Sequence, residues 1–228
     1  MEGLSIAFES SRLGTRLARL TVWTIALCVA LPAWGQKRVH AHSDFATAAS
    51  PDGTFQVRFP KSLLICSHRD GENPDVWSPE VCMADIPVCD SSGHAGDVLL
   101  CLAYPIAEFR GSELQAAAFA VSRIENLTAN ECTQKWARSD TSDVHSERIG
   151  TLEFRVGKAM ETGNSHVATQ YVYRIAHKGG CYELDVNITT ALPTAFAAED
   201  APRKLTTDER EQVKSRLVRA LHGFRFVK

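Results

Sequence analysis

Apolar and polar positions alternate most cleanly between Thr54 and Phe59, where Phe55, Val57 and Phe59 share one face and Gln56 and Arg58 the other. A period of two predicts a half-buried strand. Ser50-Pro51-Asp52-Gly53 before it has turn chemistry, and Phe45 to Ala48 predicts a first strand, so the two read as a hairpin closed at Pro60. Leu63 to Cys66 and Val98 to Tyr104 are apolar runs with the length of buried strands. Ser112 to Ile124 admits two readings. Its alanines and a capping Ser112 favour a helix. The alternation of Ala118, Ala120 and Ser122 with Phe119, Val121 and Arg123 favours a strand with small residues on one side, and the strand is preferred. Leu152 to Met160 and Val167 to Ala176 predict two further strands. In the second, Tyr171, Tyr173 and Ile175 face one way, Val172 and Arg174 the other. His177-Lys178-Gly179-Gly180 is a turn, and Cys181 to Thr190 returns with Tyr182, Leu184, Val186 and Ile188 in alternation, the strongest hairpin in the chain.

Helical spacing appears twice. Thr128 to Trp136 predicts a short helix with Thr128 as N-cap and Glu131 completing a capping box. Thr206 and Glu209 repeat that box before Val213, Leu217, Leu221 and Phe224, which recur with helical period; Gly223 ends the helix and Phe224 to Val227 forms a short terminal segment. Residues 36–44, 67–96, 138–147 and 191–204 are polar and read as loops. The 67–96 loop is long enough that a disulfide tie or a functional role is expected of it.

The first residues have a different character. Arg12, Arg16 and Arg19, partly offset by Glu2 and Glu9, precede the charge-free apolar run Leu20 to Leu31. Such a run spans ~18 Å as a helix, short of a ~30 Å hydrocarbon core, and Pro32 breaks it. Ala33 and Gly35 place small residues before a cut at Gln36, so residues 1–35 predict a cleavable secretory leader. A second cut after Ala41 and an uncleaved anchor are the alternatives. Leu27 before Cys28 argues against lipidation. The expected organisation is a leader over 1–35, a flexible segment over 36–50 and one domain over 51–228, in the periplasm or outside the cell, with no transmembrane segment after leader cleavage.

After residue 35 the chain carries 22 basic and 25 acidic side chains, a net charge of −3 without a basic stripe. That disfavours a nucleic-acid partner. Six cysteines remain: Cys66, Cys82, Cys89, Cys101, Cys132 and Cys181. An even count in an oxidising compartment reads as up to three disulfides. Cys82 and Cys89 flank a short Pro-containing loop and suit each other; Cys132 on a helix and Cys181 on a strand suit an element-to-element staple; Cys66 and Cys101 pair by elimination. A zinc site is the rival, but the six-residue gap between Cys82 and Cys89 lacks the usual tight spacing.

The order of elements resembles a known family. The opening "PDGTFQVRFPKSL" hairpin, the long antiparallel sheet, the "YVYRIAHKGGCYELDVNI" hairpin and the last helix running into "RALHGFRF" are similar to the PsbP-type α/β/α fold, found in an extrinsic photosystem II subunit and a Ran-binding import factor. "CLAYP", "AAAFAVSRI", "ECTQ", "YRIAHKGGCYEL" and "FRF" resemble a group of uncharacterised exported bacterial proteins. The resemblance covers most of residues 51–228. It implies an α+β fold, an antiparallel sheet flanked by helices with a C-terminal helix, and a role in binding or assembly rather than catalysis. It implies no functional residue, because its motifs are apolar and turn residues.

Candidate chemistry is sparse. His40, His42 and Asp44 could bind zinc or copper, as could Cys66, His68, Asp70 and His94, but a polar tail and loop histidines explain both groups. No hydrolase motif is present, and His177 near Cys181 is explained by turn geometry and a disulfide. Asn126-Leu127-Thr128 and Asn187-Ile188-Thr189 match the glycosylation sequon. Trp77 in the long loop is a possible partner contact. The expectation is an exported, non-enzymatic protein without cofactor, binding an unknown protein or small ligand. A periplasmic metal-binding protein is the first alternative and a cysteine-dependent redox protein the second.

Overall fold

In the computed structural model, which describes residues 44–66, 89, 96–134, 136, 141–163 and 165–227, the alternating segments become two antiparallel sheets. The smaller has the order β1-β2-β10, from β1 (Phe45–Ala49), β2 (Phe55–Pro60) and β10 (Phe224–Phe226). The larger contains β3 (Leu64–Ile65), β4 (Asp97–Ala103), β5 (Leu114–Ile124), β6 (Ser142–Ile149), β7 (Leu152–Thr162), β8 (His166–His177) and β9 (Gly180–Ala191), in the order β3-β4-β5-β9-β8-β7-β6. The described residues also include two α-helices, α1 (Ala129–Gln134) and α2 (Thr207–His222), and two short 3-10 helices, Ile106–Phe109 and Pro193–Ala195. The chain is therefore α+β, with antiparallel sheets and a C-terminal helix. No helix among the described residues is long and apolar enough to cross a membrane.

Packing follows the alternation. Phe55, Val57 and Phe59 of β2 and Val213, Leu217 and Leu221 of α2 are buried in one core with Leu102, Phe119, Phe154, Val156, Leu184 and Val186 from one face of the larger sheet. That inner face is covered by α2, which contacts β2, β5 and β9. The helix α1 packs on β8 and β9, and its Cys132 is joined to Cys181, which alternates away from Tyr182 and Leu184 and so lies on the outer face. Burying a single large apolar side chain is worth about 1.5–3 kcal/mol, so the inner face carries the fold.

Local chemistry explains the connections. The backbone N–H of Gly53 donates to the Ser50 carbonyl at 2.9 Å and that of Phe55 to Ser50 Oγ at 3.1 Å, closing the β1–β2 turn, with Gly53 at a positive φ of 69°. Between β8 and β9, Lys178 and Gly179 both have positive φ (47° and 78°), the two-residue hairpin loop whose twist matches the flanking strands. At the start of α2, the Glu209 N–H donates to Thr206 Oγ1 at 3.2 Å while the Thr206 N–H donates to Glu209 Oε2 at 2.8 Å. The Arg203 guanidinium donates to both Glu209 oxygens at 2.8 Å, and that contact first, then the cap, holds the carboxyl down to about 2. The capping box at Thr128 and Glu131 forms as well, with N–H to oxygen distances of 3.0 and 3.2 Å.

Gly223 does end α2, though for a reason other than left-handed backbone. Its φ is −85°. A Cβ there would lie 1.9 Å from the Arg58 carbonyl oxygen, and the Arg58 N–H donates to the Gly223 carbonyl at 3.0 Å. Close approach to β2 is what requires glycine. Gly223→Ala should cost about 1–3 kcal/mol through this overpacking, read as a lower urea midpoint with an unchanged m-value.

Three expectations are corrected. The polar segment 138–147 is not a loop throughout, because Ser142–Ile149 is the edge strand β6, paired with β7 alone. Its residues are mostly exposed and its register shifts between Ser142 and His145, with Asp143 at φ 53°. A polar, bulged edge shows no apolar face for periodicity to reveal. The expected first strand is present, and β1 pairs with β2 from Phe45↔Pro60 to Ala49↔Gln56. The helix expected to reach Trp136 stops at Gln134, and the run Leu63–Cys66 contributes only Leu64 and Ile65 as strand.

Candidate ligand-binding groove

The inner face of the larger sheet extends past α2 toward its β6 edge. Register sets which side chains stand there: His145 of β6 lies opposite Val156 of β7, and Val156 opposite Tyr173 of β8. Together with Glu147, Tyr171, Val186 and, from α2, Lys214 and Val218, they line a cavity of about 210 Å³. Lys214 and Val218 are four apart and share a helix face. The lining is apolar at the bottom, where Val156 and Val186 are buried, and polar at the rim, where His145 is exposed.

The rim has a definite charge pattern. The Lys214 ammonium lies 5.5 Å from the Tyr171 ring centroid, and that of Lys158, the register partner of Tyr171, lies 6.0 Å away. His145 Nε2 is 3.9 Å from Glu147 Oε2, and Nδ1 is 2.7 Å from the Asp143 carbonyl oxygen. Burial, with the Glu147 charge and Tyr171 adding to it, pushes the Tyr173 hydroxyl up to about 12. It therefore stays protonated at neutral pH and is a hydrogen-bond donor facing the groove.

The outer face of the same sheet is built differently. Small residues line it, among them Ala116, Ala118 and Ala120 of β5, with Ala159 and Ala168 further across. In their midst Arg174 Nε and Nη2 donate to Glu183 Oε2 at 2.7 and 2.6 Å, with both side chains almost fully buried. The Trp136 ring lies 5.3 Å from the Arg174 guanidinium carbon. Gln170, Asp185 and Thr189 are buried on that face too.

The cysteines stand on this outer face. Cys132 is bonded to Cys181 with a Cα–Cα distance of 5.5 Å, as the helix-to-strand staple requires. Cys89 is bonded to Cys101 at 5.9 Å, and this overturns the expected pairs Cys82–Cys89 and Cys66–Cys101. Loop length suggested the first pair, but residue 89 comes back over β4, where Ala116, Ala118 and Ala120 leave room for sulfur in one cluster with Cys66 and Cys101. Cys66 sits across the ladder from Cys101, its N–H donating to the Cys101 carbonyl at 2.8 Å, and is itself disulfide-bonded, to a residue outside the described ones. Peptide mapping of unreduced protein should therefore recover Cys89–Cys101 and Cys132–Cys181, and a Cys82–Cys89 peptide would contradict the fold.

Of the other residues singled out by sequence, Trp77, His40, His42, His68, Asp70, Cys82 and His94 lie outside the described residues, as does the segment expected to be a leader. Asp44 is exposed. No group of three or more His, Cys, Asp or Glu among the described residues is arranged to hold a metal ion. His177 stacks on Phe226 with ring centroids 3.7 Å apart, and burial lowers its pKa; its neighbour Cys181 is oxidised. Asn126 is exposed in a turn at φ 60°, whereas Asn187 lies half-buried inside β9. Sequence reasoning did not find His145, Glu147, Lys158, Lys214 or Val218. The available signal was slight: Lys214 and Val218 flank the apolar stripe of α2, and β6 was read as loop.

Fold and groove together define an antiparallel α+β sandwich with a lateral cavity beside its C-terminal helix. No protein-family model matches the chain, and no curated protein matches it. Solved structures do. The chain is similar to a cyanobacterial PsbP of Synechocystis, with 8% identity over 85% of this chain and 99% of that one and a TM-score of 0.41. It is similar to LpqN of Mycobacterium tuberculosis, described as involved in cell envelope biogenesis, with 8% identity over 81% and 91% of the two chains and a TM-score of 0.41. A Bacteroides thetaiotaomicron protein shares 12% identity over 81% of this chain with a TM-score of 0.40, and this chain spans about half, 49%, of its length. The PsbP likeness expected from the sequence is thus present among solved structures, and at these values no residue role passes from those proteins to this one.

Proposed function

We propose that the chain is an exported, non-enzymatic binding protein whose ligand occupies the groove between α2 and strands β6 to β9, and that this binding serves an envelope component. The observation that carries the reading is the groove itself: a concave site with a valine floor, two tyrosines and a few polar groups at its rim has the composition of a small-ligand site. Export is supported by the leader and by cysteines held as disulfides, which persist in oxidising compartments.

Val218→Trp is the direct test, because it fills the groove from a half-buried helix position that is not itself one of the buried core residues. Native mass spectrometry of protein purified from its own host should show a bound small-molecule mass that the variant lacks. Wild type and variant with identical, ligand-free spectra would reject the groove as the binding site. N-terminal sequencing of the same material should start at Gln36 or His42; a start within residues 1–19 would reject export by leader cleavage.

A further inference from the structure

We infer that the groove selects a small aromatic anion, its ring on the valine floor beside Tyr171 and Tyr173 and its negative group between the Lys158 and Lys214 ammoniums. The inference rests on the groove being the binding site and adds the chemical class of its occupant.

Size comes first. An engineered cavity of about 150 Å³ lined by apolar side chains binds benzene. The 210 Å³ here therefore takes one ring with a short substituent. Val156, Val186 and Val218 provide apolar contact, and the two tyrosines provide aromatic faces and edges for offset or edge-to-face packing.

Charge comes second. Three of the four arginines along and just before α2 are matched, Arg203 with Glu209, Arg210 with Glu113 and Arg216 with Glu108, and the fourth, Arg219, is exposed away from the groove lining. Lys158 and Lys214 are not. Among the described residues their ammonium groups meet the Tyr171 ring from 6.0 and 5.5 Å and no carboxylate within ion-pair distance. The groove's carboxylate, Glu147, stands instead beside His145. Both cations stand over one aromatic ring without a carboxylate counter-ion among the described residues, and an anion beside that ring supplies one. The Tyr171 and Tyr173 hydroxyls have no hydrogen-bond partner among the described residues and can donate to the same anion. A cationic ligand would add a third positive charge, and a neutral one would leave both ammoniums without a counter-ion.

Three near-isosteric probes separate the possibilities: phenylacetate, phenylacetamide and phenethylammonium, each titrated into the full purified protein at millimolar concentrations, with chemical shifts of the Tyr171 and Tyr173 rings as the site report. Phenylacetate should bind roughly tenfold more tightly than phenylacetamide, a difference of about 1.4 kcal/mol, and phenethylammonium should bind weakest. Lys158→Met with Lys214→Met should abolish the preference for phenylacetate, and an unchanged circular dichroism spectrum and urea midpoint show that the variant folds. Equal affinity for the three, or a preference for phenethylammonium, overturns the anion assignment and leaves the groove as a binding site. No shift of either tyrosine with any probe overturns both.

Discussion

Arg174→Met should lower the unfolding free energy by about 3–5 kcal/mol, because it leaves the Glu183 carboxylate charged and uncompensated in the interior. Few single substitutions reach that size. The side chains of Arg174 and Glu183 are 2% and 4% exposed, and two guanidinium nitrogens donate to one carboxylate oxygen at 2.6 and 2.7 Å. Two charges out of water are tolerated there only as a pair. Glu183→Gln should be destabilising for the same reason, with the guanidinium as the stranded charge. Removing both, as Arg174→Met with Glu183→Leu, should recover most of the loss, since a buried ion pair is often no more stabilising than apolar residues of similar volume. Urea unfolding followed by tryptophan fluorescence measures all three. A loss below ~1 kcal/mol for Arg174→Met would mean that water reaches the pair, as it does at surface ion pairs. The Trp136 ring over the guanidinium is consistent with a dry site.

Removing the Cys132–Cys181 bond, as Cys132→Ala with Cys181→Ala, should cost about 4 kcal/mol. The two cysteines are 49 residues apart, and cross-linking a loop of that size restricts the unfolded chain by about that amount in the chain-entropy model. The Cys89–Cys101 bond spans only 12 residues and should be worth about 3 kcal/mol on the same relation. The order of the two effects is the sharper test. If the shorter link contributes more, native-state packing around Cys101 and its alanine neighbours, rather than unfolded-state entropy, governs the stabilisation. Both cysteines of the longer link are almost wholly inaccessible, at 0% and 1%, so a mild reductant should attack that bond only after the domain opens.

Much of the fold was legible in the chain. Phe55, Val57 and Phe59 announce a half-buried strand by themselves, and the structure buries all three. The Val167 to Thr190 hairpin is readable because its turn needs positive φ and the chain supplies Gly179 there. Both capping boxes form as Thr128 with Glu131 and Thr206 with Glu209. Even the ambiguous alanine-rich segment resolves as the alternation indicates: Phe119 and Val121 enter the main core, while Ala116, Ala118 and Ala120 lie against the cysteines. The groove was not legible. Val156, Val186 and Val218 each look like ordinary core residues, and Lys158 and Lys214 like ordinary surface lysines, until the sheet and helix bring them together.

The sequence alone thus determined the elements, their hydrophobic faces and the ends of the helices, because periodicity, turn geometry and capping act over a few residues. It also specified the small-residue side of β5. The tertiary structure decided the rest: that a polar stretch becomes the edge strand β6, that Cys89 reaches Cys101 instead of Cys82, that Gly223 is needed for the Arg58 carbonyl, and that two lysines converge on Tyr171. Each of these depends on which distant segments come into contact, and short-range patterns carry no information about that.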